Sequence, residues 1–196
     1  MPELPEVETI KRQLQKTILG KKIVEVAANK PQIIKEPALH IFKRGVKNAA
    51  IKKIIRKGKA LILELSSGKA LVVHLRMTGQ LVYPGDGRQS RITFKLSNKK
   101  LLDYNDRRML GEIRLLDDWR KLEFIKNLGP EPYELSAEEF CRKLGLKQTK
   151  IKALLMDQAF IAGVGNIYAA EALFKSKIHP LRPASSLSEQ EKQKLF

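Results

Sequence analysis

Between residues 22 and 117 the chain is cut into short, β-rich segments by closely spaced turn signals, and this rhythm constrains the fold more than any other feature. The segments IVEVAA, IKKIIR, ALILEL, ALVVHLRM, RITFKL, KLLDYN and EIRLLD are rich in branched and aromatic residues that fit a pleated, half-buried surface. Lys57-Gly58-Lys59, Ser66-Ser67-Gly68, Pro84-Gly85-Asp86-Gly87 and Ser97-Asn98 carry the small and polar residues that turns need. Seven or so strands at this spacing predict a β-sandwich or flattened barrel. A helix is predicted ahead of it over residues 2–19, where Leu4, Val7, Ile10 and Leu14 recur at spacings of three and four. Pro5 suits its first turn, Glu3, Glu6 and Glu8 suit the positive end of its dipole, and Gly20 suits its stop.

The texture changes after Trp119. Residues 119–127 read as helical, and Gly129-Pro130-Glu131-Pro132 reads as a linker. Ser136-Ala137-Glu138-Glu139 predicts a capping box ahead of a helix through Leu144. Thr149 is expected to cap a second helix running to about Asp157. The glycine loop Gly163-Val164-Gly165 leads into a third helix over 166–176, and Ser188 opens a fourth. The expected fold is therefore α+β: a β-sandwich domain over residues 1–130 with a leading helix, then an all-helical domain over 131–196.

Charge narrows the partner. Thirty-eight Lys and Arg stand against 21 Asp and Glu, a formal net charge of +17. A globular chain this basic suits a polyanion, with nucleic acid first and an anionic membrane surface second. No apolar run reaches the length of a membrane-spanning helix, and the first residues, MPELPEVETIKRQL, carry glutamates and no apolar signal core. These features predict a cytoplasmic protein. The single cysteine, Cys141, makes no internal disulfide or four-cysteine zinc site, and is expected to act as a small apolar residue in a helix. His40, His74 and His179 lie too far apart in sequence for metal-ligand spacing.

The first two residues after Met1 can carry chemistry. A small second residue normally allows the initiator methionine to be trimmed, which would leave Pro2 as a secondary amine. An α-amino group titrates at about 7.7–8.0, so part of it is neutral at physiological pH and can attack a carbonyl carbon. Glu3 places a carboxylate beside it, a pairing suited to opening a sugar ring at C1′. Taken alone, the pair reads equally as an ordinary helix start.

The whole run MPELPEVETI resembles the N-terminal signature of the formamidopyrimidine-DNA glycosylases, bacterial repair enzymes for oxidised purines. Three further segments match in order: Arg56-Lys57-Gly58-Lys59 with ALILEL, His74-Leu75-Arg76-Met77-Thr78-Gly79, and Gly163-Val164-Gly165-Asn166-Ile167-Tyr168 with the helix after it. Ile178-His179-Pro180 and Arg182-Pro183-Ala184 continue the last match. The resemblance spans essentially the whole chain. It implies a helix–two-turns–helix DNA-binding domain and a bifunctional glycosylase and abasic-site lyase. That enzyme would act as a monomer on double-stranded DNA containing 8-oxoguanine, formamidopyrimidines or abasic sites. By the same resemblance Pro2 is the nucleophile that forms an iminium, Glu3 the acid that protonates the deoxyribose ring oxygen, and Lys59 the lysine near the phosphate and that acid. Glu6 is a supporting acidic position.

The target base must leave the stack before its sugar can be reached, and side-chain wedges fill the gap. Met77 matches the first wedge. Asp106-Arg107-Arg108-Met109-Leu110-Gly111 matches a loop of pattern D-x-R-x-F-G, with Arg108 pairing the orphaned base and Leu110 in place of the family's phenylalanine. Asn166, Lys152 and His74 match phosphate contacts. Bland readings stand beside these: Met77 and His74 as core residues, Lys59 as a hairpin-tip lysine, Lys152 as a solvated helix lysine. The family's structural zinc sits on four cysteines beyond the matched region, so no cofactor is expected within these residues and the chain reads as lacking that ribbon. Two other functional readings are a non-catalytic damaged-DNA binder of the same fold and a basic structural RNA-binding protein.

Overall fold

The computed structural model describes residues 1–196, which divide into two compact units, Met1–Leu122 and Glu123–Phe196. The division falls ahead of the Gly129–Pro132 stretch at which the sequence suggested a boundary. A short 3-10 turn, Trp119–Lys121, and the four-residue helix α3, Glu123–Lys126, replace the continuous helix expected over 119–127.

The first unit is a β-sandwich with a leading helix, as the strand rhythm predicted. Helix α1 spans Leu4–Ile18. Nine strands follow, with one helix among them: β1 (Ile23–Ala28), β2 (Ile34–Glu36), α2 (Leu39–Val46), β3 (Ile51–Lys57), β4 (Ala60–Leu65), β5 (Ala70–His74), β6 (Gly79–Gly85), β7 (Ile92–Leu96), β8 (Leu101–Asp106) and β9 (Glu112–Leu116). One sheet runs β1-β7-β8-β6 and the other β2-β9-β5-β4-β3. All pairings are antiparallel except β2 with β9. One apolar cluster joins Val7, Leu14 and Ile18 of α1, Phe42 and Val46 of α2, and residues of both sheets, including Leu61, Leu63, Leu71, Val73, Phe94, Leu102 and Ile113.

The sequence rhythm missed β2, α2 and β6. Strand β2 is only three residues long, too short for a period. Helix α2 is two turns long and contains Gly45, so its apolar spacing is not distinctive. Strand β6 contains Pro84 and two glycines, and its last two residues, Pro84 and Gly85, carry a turn signal. It lies at the edge of its sheet, where a residue with no N–H is tolerated.

The second unit is helical. Helix α4 (Ala137–Gly145) opens on Ser136 in a reciprocal capping box with Glu139 and buries Phe140, Cys141 and Leu144. Helix α5 spans Ile151–Met156, α6 spans Asn166–Ser176, and α7 (Glu189–Leu195) opens on a second capping box, Ser188 with Glu191. A separate core gathers Phe140, Leu144, Ile151, Leu155, Phe160, Leu173, Ile178 and Leu195, among others. Thr149 does not cap α5: the N-cap is Lys150, with no side-chain cap. The first N–H groups of α5 are satisfied from outside it instead. Ile151 N–H donates to the Arg182 carbonyl at 2.8 Å and Lys152 N–H to the Pro180 carbonyl at 3.3 Å. No helix is long and apolar enough to cross a membrane.

Candidate functional site

Pro2 and Glu3 lie at the mouth of α1. Glu3 is the N-cap residue and is 0% exposed, while Pro2 is partly exposed. The Glu3 N–H donates to Glu6 Oε2 at 2.9 Å, the returning half of a capping box. Glu6 therefore holds the backbone of Glu3. A nucleophilic Pro2 amine requires removal of Met1, because a proline nitrogen inside a peptide bond carries no proton.

Lys59 is brought to this end of α1 by the β3–β4 hairpin. Lys57 pairs with Ala60, so Gly58 and Lys59 form a two-residue turn, with Gly58 at φ +54°. Arg56 locks that turn: its Nη1 donates to the Gly58 carbonyl at 2.9 Å and its Nε to Glu8 Oε2 at 3.0 Å. Burial opposes the charge on Glu8, but Lys11, Arg12 and Arg56 all hydrogen-bond it and hold its carboxyl at about 2. Burial lowers the pKa of Lys59, and attraction to Glu3 counters it. The buried Glu3, next to Pro2 in the chain, and the half-buried Lys59 thus attract one another electrostatically.

His74 ends β5 opposite Glu112 and Ala60. Burial, then the cations Arg76 and Lys59, depress its pKa to about 4 against an opposing pull from Glu112. The imidazole is neutral at physiological pH, and Arg76 N–H donates to its Nδ1 at 3.1 Å. A neutral ring meets a phosphate by donating one N–H, not as an ion. Arg76 sits at φ +51° and its Nη2 donates to Glu112 Oε1 at 2.6 Å. The buried Glu112 also accepts from Arg114, whose Nη1 reaches Glu36 at 2.5 Å.

Met77 and Leu110 are exposed at 41% and 48%, and Arg108 is also exposed. They sit on two turns tied together by one carboxylate. Asp106, 1% exposed, accepts from Thr78 Oγ1, from Arg108 N–H at 3.2 Å and from Gly111 N–H at 2.7 Å. Gly111 has no room for a side chain, since a Cβ there would lie 1.7 Å from the Tyr104 hydroxyl oxygen. The exposure of Met77 removes its reading as a core residue.

The second unit carries Asn166 and Lys152. Asn166 is exposed as the first residue of α6, preceded by Gly165 as N-cap. Gln158 shapes the glycine loop: its Nε2 donates to the Val164 carbonyl at 2.7 Å, and its Oε1 accepts from Gly163 N–H at 2.9 Å. Gly163 sits at φ +92°, which favours glycine. Loop N–H groups ahead of a helix are a ready anion seat. Lys152 is half-buried beside a cleft lined also by Phe174, Lys177, Ile178, His179 and Pro180.

Sequence reasoning missed Arg56, Glu8, Thr78, Glu112 and Gln158. None belongs to a local pattern of chemistry: Glu8 and Arg56 are 48 residues apart, and Thr78 and Asp106 are 28 apart. No group of three or more His, Cys, Asp or Glu side chains is placed to hold a metal ion. A four-thiolate zinc site does not fit residues that include one buried cysteine, Cys141.

Comparison with known proteins matches residues 1–113 to the formamidopyrimidine-DNA glycosylase N-terminal domain and residues 128–196 to the formamidopyrimidine-DNA glycosylase H2TH domain. The formamidopyrimidine-DNA glycosylase of Pelotomaculum thermopropionicum is 45% identical over 204 residues, covering 100% of this chain and 74% of the relative. That of Desulforamulus reducens is 43% identical, covering 97% and 72%. Among solved structures, the MutM (Fpg) protein of Thermus thermophilus superposes with a TM-score of 0.86 at 36% identity, covering 99% of this chain and 71% of that one. The Lactococcus lactis Fpg in complex with DNA containing an abasic site gives 0.89 at 34% identity, covering 98% and 74%.

Proposed function

The chain belongs to the formamidopyrimidine-DNA glycosylase family, a DNA repair glycosylase that acts on damaged double-stranded DNA, and on that premise we propose that it excises oxidised purines and then cleaves the abasic site through Pro2. The observation that supports this reading best is the buried Glu3 at a capped helix mouth, with Lys59 electrostatically coupled to it and Pro2 immediately before it. Relatives that are 34% identical are solved with Fapy-dG and abasic-site DNA.

In the proposed reaction Met1 is first removed, freeing the Pro2 amine. The nitrogen forms a bond to C1′ as the bond from C1′ to the base breaks, and the proton given up by the Pro2 nitrogen leaves with the base. Glu3 delivers a proton to O4′ as the C1′–O4′ bond opens, leaving an iminium between Pro2 and C1′. The Glu3 carboxylate takes up a C2′ proton as the 3′ phosphate is expelled, a second elimination expels the 5′ phosphate, and water then adds to C1′ and breaks its bond to Pro2. Lys59 holds positive charge beside the departing phosphate and keeps Glu3 in place. His74 donates an N–H to the backbone, Asn166 and Lys152 grip phosphates, and Met77, Arg108 and Leu110 fill the space left by the flipped nucleotide. The setting is chromosomal DNA in the cytoplasm.

The test is borohydride trapping on an abasic-site duplex, with mass spectrometry of the N-terminus. The expected result is a covalent complex when Pro2 is terminal, weakened or altered in Pro2→Gly. Unchanged trapping by Pro2→Gly removes Pro2 as nucleophile. No trapping by a chain whose N-terminus is shown to be Pro2 would leave a damaged-DNA binder without covalent capture.

A further inference from the structure

We propose that Thr78 and Asp106 are positioning residues that join the Met77 turn and the Arg108–Leu110 turn into one wedge, so that the two insert into DNA together. The inference rests on reading Met77, Arg108 and Leu110 as the groups that replace the flipped nucleotide.

The connection is built at three levels. Gly79 and Asp106 are paired residues of β6 and β8, so the two turns leave the same rung of one sheet. The Thr78 hydroxyl then donates to Asp106 Oδ1, and Arg108 N–H donates to both Thr78 Oγ1 at 3.1 Å and Asp106 Oδ1 at 3.2 Å. Beneath them the Tyr104 hydroxyl fills the space against both turns, since a Cβ on Gly79 would lie 2.8 Å from it and one on Gly111 1.7 Å from it. Asp106 is buried, and its other oxygen is taken by Gly111 N–H. A buried carboxylate with three donors is costly to rearrange, because each lost bond leaves a desolvated group. The exposed side chains above it are therefore presented on a shared, rigid base. Neither turn can retreat without breaking the hydrogen bonds it shares with the other.

Wedges that act together lose their effect together. The experiment is a double-mutant cycle on Met77→Ala and Leu110→Ala in the full chain. Binding is measured to a duplex with a tetrahydrofuran abasic analogue and 2-aminopurine opposite it, reading affinity and fluorescence. In the parent, the double variant is expected to lose less than the product of the two single losses, by at least about twofold. In a Thr78→Val background the losses should multiply, while Thr78→Ser should restore the parent pattern. Thermal melting checks that each variant is folded, and Thr78→Ala replaces the valine variant should that one unfold. Multiplied losses in the parent, or the parent pattern persisting in a folded Thr78→Val or Thr78→Ala chain, overturn the coupling while leaving the wedge reading standing. No loss from either single variant overturns the wedge reading and the coupling with it.

Discussion

His74 shows how burial sets chemistry at a single residue. An unfolded histidine titrates near 6.5, whereas His74 in the fold titrates at about 4. Between those values the unfolded chain binds the extra proton, so stability that is fully present above about 6.5 is lost as pH falls toward about 4. Melting temperature against pH should therefore flatten over that window in His74→Gln, by an amount of up to about 3 kcal/mol in stability. A parallel acid limb in the variant would show that other groups carry it. Arg56 offers a second test. Its guanidinium is buried, and removing it leaves the Gly58 carbonyl and part of Glu8 without their donor. Arg56→Ala should cost about 1–3 kcal/mol by denaturant midpoint. It should also slow abasic-site cleavage, because the Lys59 turn loses its lock. Pro2, Glu3 and Lys59 can be proposed from the sequence because they are contiguous or lie in a short motif. Arg56 has no such local signature, since its partner Glu8 lies in another element.

At the scale of elements, capping chemistry was the most legible feature and also where the reading failed once. Ser136 and Ser188 cap as their spacing predicts, through reciprocal bonds with Glu139 and Glu191. Thr149 has the right residue type one position too early, and the backbone at Pro180 and Arg182 supplies what a cap would have supplied. Ser136→Ala is thus expected to destabilise by about 1 kcal/mol and Thr149→Ala by less than about 0.5 kcal/mol, read in the same thermal or denaturant assay. Equal losses would mean that Thr149 supports α5 by another route. The central strands β4 and β5 were clear because they are nearly continuous apolar runs. Strands β2 and β6 were hidden because length, proline and glycine erased their alternation, and their pairing partners are distant in sequence.

For the whole molecule, the excess positive charge predicts binding that weakens steeply with salt. Lys152→Ala should lower affinity for all duplex sequences alike and reduce the slope of log affinity against log salt by about 0.9, measured by titration at several salt concentrations. A changed sequence preference with an unchanged slope would place Lys152 on bases instead of phosphates. The same two sheets also have four border strands. Strand β1 is broken by a bulge between Ile23 and Glu25, β2 is three residues long, β3 bears Lys52, Lys53 and Lys57, and β6 carries Pro84. Each is a device that stops a neighbouring molecule from adding a strand. Strand addition between copies lying side by side on one DNA is therefore disfavoured at each border.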